Sequence, residues 1–174
     1  MKEIILGGGC FWCIEAVMRR VKGVKEAISG YAGGERPNPT YQQVCSGATG
    51  HAEVVKVIYD ENEITLDELL DIFFSIHDPT TLNRQGADVG TQYRSVVYYE
   101  NEEEKKAIEA AIARTQKEYS DPVITEVSPK PEFYPAEAYH QNYYDQNPMQ
   151  GYCQVVIKPK VQKFLTKFTD KIKK

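Results

Sequence analysis

Residues 2–18 read KEIILGGGCFWCIEAVM and join three local patterns in one short stretch. The apolar run IIL predicts a short buried strand that continues into three glycines. Beyond the glycines, apolar residues recur at helical spacing, so we expect a helix that begins near Cys10 or Phe11 and stops before Gly23. The stretch therefore predicts a strand, a close glycine turn and a helix, with a thiol at the turn.

The rest of the chain alternates between predicted strands and helices. Strands are expected at residues 24–34, 51–60, 95–100 and 122–129, and helices at 65–77, 101–119 and 158–174. This order predicts an α/β (α+β) fold in which helices pack on a mixed sheet. Long loops are expected at residues 33–50, 78–94 and 129–153. Long loops on a small scaffold usually carry function.

The chain of 174 residues shows no repeat, low-complexity segment or linker that would divide it. We therefore expect a single domain over residues 1–174, whose C-terminal segment 146–174 carries Cys153 and a closing helix. The net charge of −4, without a basic stripe, argues against nucleic acid as a partner. No signal-peptide core and no membrane-spanning apolar run is present, so we expect a cytoplasmic protein with no membrane partner.

The four cysteines indicate thiol chemistry more than a structural disulfide framework if the compartment is reducing. Cys10 would lie at the start of a helix, where free backbone N–H groups and the positive end of the dipole favour a thiolate. Cys13 follows within disulfide reach. A zinc site would need two more ligands, which no Cys or His pair at the required spacing supplies. Trp12 stands where a dinucleotide-binding motif needs glycine.

Glu53 is the candidate proton donor. It stands near the start of a predicted strand and shares a face with Val55 and Val57. A carboxyl group on the inward side of a sheet has a raised pKa and can donate a proton. The alternative is that Glu53 lies at the mouth of the strand and faces water.

Polar and aromatic side chains concentrate in the three long loops. Tyr41 and Cys45 lie one helical turn apart in the first loop, and Asp88 and Tyr93 lie in the second. The third loop ends in the polar stretch NPMQGYC, which we expect to be mobile. Its cysteine, Cys153, would then be free to move to another sulfur, which predicts a redox role.

Four stretches together closely resemble the peptide-methionine (S)-S-oxide reductases, the A-type methionine sulfoxide reductases. They are GGGCFWC at 7–13, PTYQQVCSGATGHAEVV at 39–55, HDPTTLNRQGADVGTQYRS at 77–95 and YHQNYYDQNPMQGYC at 139–153. The resemblance covers nearly the whole chain, in the family's order. It implies an α/β roll with a ferredoxin-like core. It also implies an enzyme that reduces methionine S-sulfoxide, in proteins and as the free amino acid, for repair after oxidative damage.

The resemblance further implies a role for each matched residue. Cys10 would attack the sulfoxide sulfur, and Glu53 would protonate the sulfoxide oxygen. The supporting residues would be Tyr41 and Tyr93 as hydrogen-bond donors to that oxygen, Asp88 as an organiser of the site, and Phe11 and Trp12 as an apolar pocket for the S-methyl group. Cys10 would become a sulfenic acid, and a second thiol would then form a disulfide with it. Thioredoxin, or dithiothreitol in vitro, would reduce that disulfide, and no cofactor or metal is implied.

The chain departs from the family pattern at its second thiol. Many members have glycine where this chain has Cys13, and some have two C-terminal cysteines where this chain has only Cys153. Either thiol could resolve the sulfenic acid, or Cys13 could act first and Cys153 second; we favour Cys153, which matches the family's resolving motif. Cys45 is expected to be structural. Two other functions are considered: a general dithiol–disulfide oxidoreductase built on Cys10 and Cys13, and an aromatic cage that binds a methylated ligand.

Overall fold

Strand β1 lies inside a six-stranded sheet in the computed structural model, which describes residues 1–173. The strands of this sheet are β1 (Lys2–Gly7), β2 (Val24–Ala32), β3 (Ala52–Tyr59), β6 (Val96–Tyr99), β7 (Glu126–Pro129) and β8 (Tyr134–Pro135), and a separate hairpin contains β4 (Arg84–Gln85) and β5 (Asp88–Val89). The order across the sheet is β7-β6-β1-β3-β2-β8. All neighbouring strands are antiparallel except β6 and β7, so the sheet is mixed.

The helices of the described residues are α1 (Phe11–Met18), α2 (Tyr41–Cys45), α3 (Leu66–Ser75), α4 (Glu102–Gln116), α5 (Tyr143–Gln146) and α6 (Lys158–Lys167). Single turns of 3₁₀ helix lie at Thr91–Tyr93, Ala138–His140 and Thr169–Lys171, and a π-helical turn at Cys153–Ile157 runs into α6. The β1-α1-β2 and β3-α3-β6 crossovers interlock, so that β3 lies between β1 and β2. This is the ferredoxin-like arrangement that the resemblance implied, and the expected α/β fold is confirmed.

Helix α1 is fixed in the core because nearly all of its residues are apolar. Phe11, Ile14, Val17 and Met18 are fully buried. They join a core that includes side chains from β1, β3, α3 and α6. Full burial of one such side chain contributes about 1.5–3 kcal/mol. The start of α1, and with it Cys10, is therefore held in one position.

Glu15, the charged residue of α1, ties the helix to two other segments. Its carboxylate accepts hydrogen bonds from the Ser29 hydroxyl at 2.6 Å and from the Asn142 N–H at 2.7 Å, and it pairs with Arg19 at 2.7 Å. A buried carboxylate is tolerated when it is paired and hydrogen-bonded in this way. The network holds the segment before α5 against α1.

The N-terminal ends of α3 and α4 follow from local capping signals. The Thr65 hydroxyl accepts from the Glu68 N–H at 3.1 Å, and the Glu68 carboxylate accepts from the Thr65 N–H at 3.0 Å. Asn101 accepts from the Glu104 N–H at 2.9 Å. Both helices therefore begin where the sequence predicts.

Two predicted elements are shorter than expected. The strand predicted at 122–129 pairs in the sheet only over β7. Before β7, the Ile124 N–H donates to the Pro79 carbonyl instead of to a neighbouring strand. The closing helix predicted at 158–174 ends at Lys167, where Phe168 leaves the helical region. Beyond it, Ile172 pairs with Val21. The last residue of the predicted helix and domain lies outside the described residues.

Candidate active site

The turn between β1 and α1 sets the position of the Cys10 thiol. Gly9 has φ of +90°, a conformation that favours glycine, and its N–H donates to the Tyr93 carbonyl at 3.2 Å. A Cβ atom at Gly8 would lie 2.8 Å from the His77 ring, so a larger residue would force the two segments apart. Cys10 is the N-cap residue of α1 and lines a cavity of about 630 Å³.

Glu53 lies on β3 beside the start of α1. Its Oε1 atom accepts a hydrogen bond from the Phe11 N–H at 3.1 Å, whereas its Oε2 atom is buried and has no partner among the described residues. Burial raises the pKa of Glu53 to about 8, although the Phe11 N–H acts in the opposite direction. Glu53 thus keeps a carboxyl proton at neutral pH. The alternative of a water-facing carboxylate is wrong, since the side chain is buried.

Tyr41 and Tyr93 lie close to the same carboxyl group. Burial raises the pKa of both phenols above their usual range, and the charge of Glu53 is the second cause in each case. Both hydroxyls therefore remain protonated and can donate hydrogen bonds at any physiological pH. The structure brings these two donors, Glu53 and Cys10 into one region, and their roles toward a substrate stay predictions.

Aromatic rings surround the Trp12 side chain. The Trp12 ring stacks on Tyr143 with 3.7 Å between ring centroids and 6° between planes. The Trp12 indole N–H donates to His140 Nδ1 at 3.0 Å. Burial lowers the pKa of His140, so its ring is neutral and carries its proton on Nε2, which is buried without a partner among the described residues. The indole is therefore held in one orientation.

Phe11 lies on the core side of the aromatic rings around Trp12 rather than at the protein surface. Its side chain is fully buried. The Phe11 ring lies 6.4 Å from the Tyr41 ring and 5.2 Å from the His140 ring, measured between centroids. Phe11 thus supports the tyrosine and histidine rings from the core side, while Trp12 is the more accessible of the two aromatic residues predicted to contact substrate.

The pKa values of Cys10 and Cys13 move in opposite directions. Burial raises the pKa of Cys10 well above its usual range, and contact with Cys13 and the charge of Glu53 add to the rise. The pKa of Cys13 is lowered, first by its hydrogen-bonding neighbour Cys10 and also by the positive charge of Lys160. Burial therefore favours the thiol over the thiolate at Cys10, and the resting thiolate expected from the helix start stays a prediction. Burial opposes the effect of the helix start on Cys10, and the contact between the two thiols shifts their pKa values apart.

Asp88 lines the cavity that Cys10 opens into, and Tyr152 connects it to the thiol pair. The Tyr152 hydroxyl donates to Asp88 Oδ2 at 2.6 Å and lies 4.0 Å from the Cys13 sulfur. A chain of polar contacts thus leads from Asp88 through Tyr152 to Cys13. Asp88 thus contacts the thiol pair through Tyr152, a residue not singled out from the sequence.

Cys153 does not lie in a mobile polar tail, so that expectation is wrong. Its side chain is fully buried. The π-helical turn that contains it continues into α6, whose Val161 and Phe164 pack in the core. These apolar residues draw the preceding turn inward, although the sequence before it is polar. By contrast, Cys45 is exposed, and its thiol lies beside the Tyr41 hydroxyl.

Glu137 is a second residue that the sequence analysis missed. Its carboxylate accepts from the Tyr31 hydroxyl at 2.8 Å and from the Tyr41 N–H at 2.9 Å. It therefore fixes the start of α2, and with it the Tyr41 ring, relative to β2. No spacing rule connects residues this far apart in the chain. The one available signal was an acidic residue among the aromatic residues of the third loop.

Two absences concern residues 1–173. No group of three or more His, Cys, Asp or Glu side chains there is arranged to hold a metal ion. No helix in the same range is long and apolar enough to cross a membrane.

Comparisons with known proteins agree with this geometry. The family model described as peptide methionine sulfoxide reductase matches residues 2–172. A protein of Acinetobacter baumannii (strain SDF) named peptide methionine sulfoxide reductase MsrA is 58% identical over 168 residues, which are 97% of this chain and 96% of that protein.

Solved structures are similar as well. Reduced Mxr1 from Saccharomyces cerevisiae has a TM-score of 0.81 and 40% identity, over 87% of this chain and 88% of that chain. Mxr1 in complex with Trx2 has a TM-score of 0.57 and 30% identity, over 82% of this chain and 84% of that chain. Since the family match covers nearly all of the sequence, the chain belongs to the peptide methionine sulfoxide reductase family.

Proposed function

We propose that the protein reduces methionine S-sulfoxide to methionine, both in proteins and as the free amino acid, and so repairs oxidised proteins. The observation that carries this proposal is the buried Glu53 carboxyl, which keeps its proton at neutral pH and has an oxygen atom free to donate it. A sulfoxide oxygen is a poor leaving group until it is protonated. A proton donor beside the Cys10 thiol meets that requirement.

The oxygen transfer can be written with protons and electrons balanced. Cys10 loses its proton to water and attacks the sulfoxide sulfur, forming an S–S bond, while Glu53 gives its proton to the sulfoxide oxygen. Tyr41 and Tyr93 donate hydrogen bonds to the same oxygen as negative charge develops on it. In the resulting adduct the new S–S bond breaks as the hydroxyl oxygen moves from the substrate sulfur to Cys10, which becomes a sulfenic acid. Methionine is released, and Glu53 regains a proton from water.

The sulfenic acid is then resolved by a second thiol. We propose that Cys13 acts first and Cys153 second. Cys13 condenses with the Cys10 sulfenic acid to form a disulfide and water, and Cys153 then exchanges into that disulfide and frees Cys10. Two observations support this order: the Cys13 N–H donates to the Cys10 carbonyl at 3.1 Å, and Cys13 and Cys153 are buried in the same core cluster.

Regeneration needs an external dithiol, for which we propose thioredoxin. The complex of the yeast relative with Trx2 supports this choice. We further propose that residues 1–174 act as a single catalytic domain in the cytoplasm, where free thiols are kept reduced. The cysteines of the described residues are all unpaired.

The test is an assay with dithiothreitol as reductant and the separate S and R epimers of N-acetylmethionine sulfoxide. We expect the wild type to convert the S epimer to the thioether and Cys10→Ser to be inactive. Cys45→Ser, which removes an exposed thiol, is the matched control. Inactivity of the wild type, or full activity of Cys10→Ser, would contradict the proposal. Reduction of insulin disulfides without sulfoxide reduction would favour the general dithiol oxidoreductase instead.

The order of resolution is tested by mass spectrometry after one turnover without external reductant. Quenching at early times should give the Cys10–Cys13 disulfide, and later times should give Cys13–Cys153. A Cys10–Cys153 disulfide at the earliest time would contradict this order and show that Cys153 resolves the sulfenic acid directly.

A further inference from the structure

Two lysines on α6 line the same cavity as Cys10. The cavity of about 630 Å³ has Lys160 and Lys163 on one wall and Asp78 and Asp88 on others. Residues three apart on a helix project from one face, so both ammonium groups belong to a single surface. That surface is held firmly, because α6 is anchored by core residues on its opposite side.

The acidic side chains of the cavity are already engaged by protein donors. Asp88 accepts the Tyr152 hydroxyl at 2.6 Å. Asp78 accepts the N–H of Thr80 at 2.9 Å and its hydroxyl at 2.5 Å. These bonds hold the two carboxylates on the protein side.

The lysines, by contrast, have no carboxylate partner. Among residues 1–173, neither Lys160 nor Lys163 forms an ion pair within 4 Å. The charge of Lys160 reaches the Cys13 sulfur, whose pKa it lowers. Lys163 is exposed to solvent. The α6 side of the cavity therefore carries two ammonium groups that form no direct ion pair within the described residues, in a cavity that Cys10 also lines.

We propose that Lys160 and Lys163 form a subsite for a carboxylate of the substrate, next to the methionine sulfoxide side chain that enters toward Cys10. This inference rests on the proposed function and adds a preference within its substrate class. The carboxylate can be the α-carboxylate of the free amino acid or the side chain of an aspartate or glutamate beside the oxidised methionine. The chain as a whole carries a net charge of −4, so attraction of an anion must come from these local groups.

The experiment compares matched acidic and neutral substrates with dithiothreitol as reductant. One pair is N-acetylmethionine S-sulfoxide and its carboxamide. The other is a pair of capped pentapeptides with aspartate or asparagine beside the oxidised methionine. For at least one pair, we expect the wild type at low salt to have a kcat/KM about fivefold higher for the acid than for the amide. The difference should arise mainly from a lower KM for the acid. High salt should abolish this preference, because it screens the charges.

Single lysine substitutions test which residues cause the preference for the acidic substrate. In Lys163→Gln, and also in Lys160→Gln, the acid-to-amide ratio should fall toward one. Lys158→Gln makes the same charge change on the same helix outside the cavity lining, and it should keep the wild-type ratio. A preference in the first pair alone assigns the subsite to a terminal carboxylate, and one in the second pair alone assigns it to a neighbouring acidic side chain.

Three outcomes would overturn the subsite. Equal rates for acid and amide in both pairs would leave the sulfoxide reductase activity standing but remove the subsite. An equal loss of preference in Lys158→Gln would reduce the effect to general surface charge. If Lys163→Gln changed only the KM for a protein reductant, the lysines would be a docking surface for that reductant instead. Failure to reduce any of the substrates would reject the proposed function as well.

Discussion

At the scale of single residues, the chemistry depends on the protonation state of Glu53. Its raised pKa of about 8 means that the proton is present at pH 7 and is lost as the pH rises through that value. We predict that kcat/KM declines above about pH 8. Glu53→Gln should lower kcat by about 10²–10⁴-fold and abolish this decline, because an amide cannot lose a proton in this range. Steady-state kinetics from pH 5 to pH 10 measures both effects.

Tyr98→Phe is a suitable control for this series. It removes another buried polar atom that has no partner among the described residues, but on β6 and without contact to the reacting groups proposed here. It should keep the wild-type pH profile. A rate loss under tenfold in Glu53→Gln, or an unchanged alkaline limb, would remove Glu53 from the role of acid.

Trp12 is the only tryptophan of the chain, so its fluorescence reports on the site directly. Since the indole N–H donates to His140 Nδ1, His140→Leu would leave a polar group without its partner. We predict a shifted emission maximum and a higher KM for His140→Leu. His140→Asn, whose side-chain oxygen can replace Nδ1 as acceptor, should restore most of both. Identical spectra for wild type and His140→Leu would show that this hydrogen bond does not orient the indole.

Local sequence was sufficient to identify Cys10 and Glu53 as candidates, because each has a distinctive position relative to a predicted element. It could not reveal that Tyr152 joins Asp88 to the thiol pair, or that Glu137 fixes Tyr41. These contacts join residues that are distant in the chain and meet only in the folded state. The burial that raises the pKa of Cys10 is likewise a tertiary property, which the position of Cys10 at a helix start does not reveal.

At the scale of elements, the π-helical turn before α6 determines when Cys153 can react. The Cys153 thiol is fully buried, whereas Cys45 is exposed. In the reduced protein we therefore predict that iodoacetamide modifies Cys45 first and Cys153 much more slowly. Oxidation of Cys10 by one equivalent of sulfoxide should then engage Cys153 in the disulfide relay. Peptide mapping over time measures both rates, and equal rates at Cys45 and Cys153 in the reduced protein would contradict the buried turn.

Helices α3 and α4 were predicted from sequence because their caps and amphipathic patterns are local signals. Strand β8 was not predicted, since it has two residues and exists only through pairing with β2. The strand predicted at 122–129 was too long because backbone bonding to a neighbouring loop competes with the sheet. Short elements in long loops depend on contacts that sequence spacing does not encode.

At the scale of the whole molecule, the raised pKa of Glu53 lowers the free energy of unfolding at neutral pH. Below about pH 4.5 the carboxyl is protonated in both the folded and the unfolded state. The stability that depends on this protonated carboxyl is therefore fully present there. Between that pH and the folded pKa of about 8, only the unfolded chain releases the proton, and the free energy of unfolding falls as the pH rises. At pH 7 this loss is about 3 kcal/mol.

We therefore predict that Glu53→Gln is more stable than the wild type at pH 7, by an amount that shrinks toward zero near pH 4. Urea unfolding of both proteins at a series of pH values isolates the term, because all other groups are common to the two. A pH-independent difference in the free energy of unfolding would mean that Glu53 titrates normally in the folded state.

The sheet order could be expected only through the family resemblance. The alternation of strands and helices predicts helices packed on a mixed sheet, but many strand orders satisfy that pattern. Likewise, the antiparallel pairing of β1 with β3 and the interlocked crossovers are properties of the assembled molecule. Composition and spacing thus gave the fold class, and the matched motifs gave the arrangement.

The central claim is that the substrate oxygen is transferred to Cys10. The most direct test uses methionine S-sulfoxide labelled with heavy oxygen and a Cys13→Ser, Cys153→Ser variant, in which the sulfenic acid cannot be resolved. After one turnover, a trapping reagent that retains the oxygen followed by peptide mass spectrometry should find the label on the peptide that carries Cys10. Label on Cys45, or label in water with Cys10 unmodified, would contradict the account.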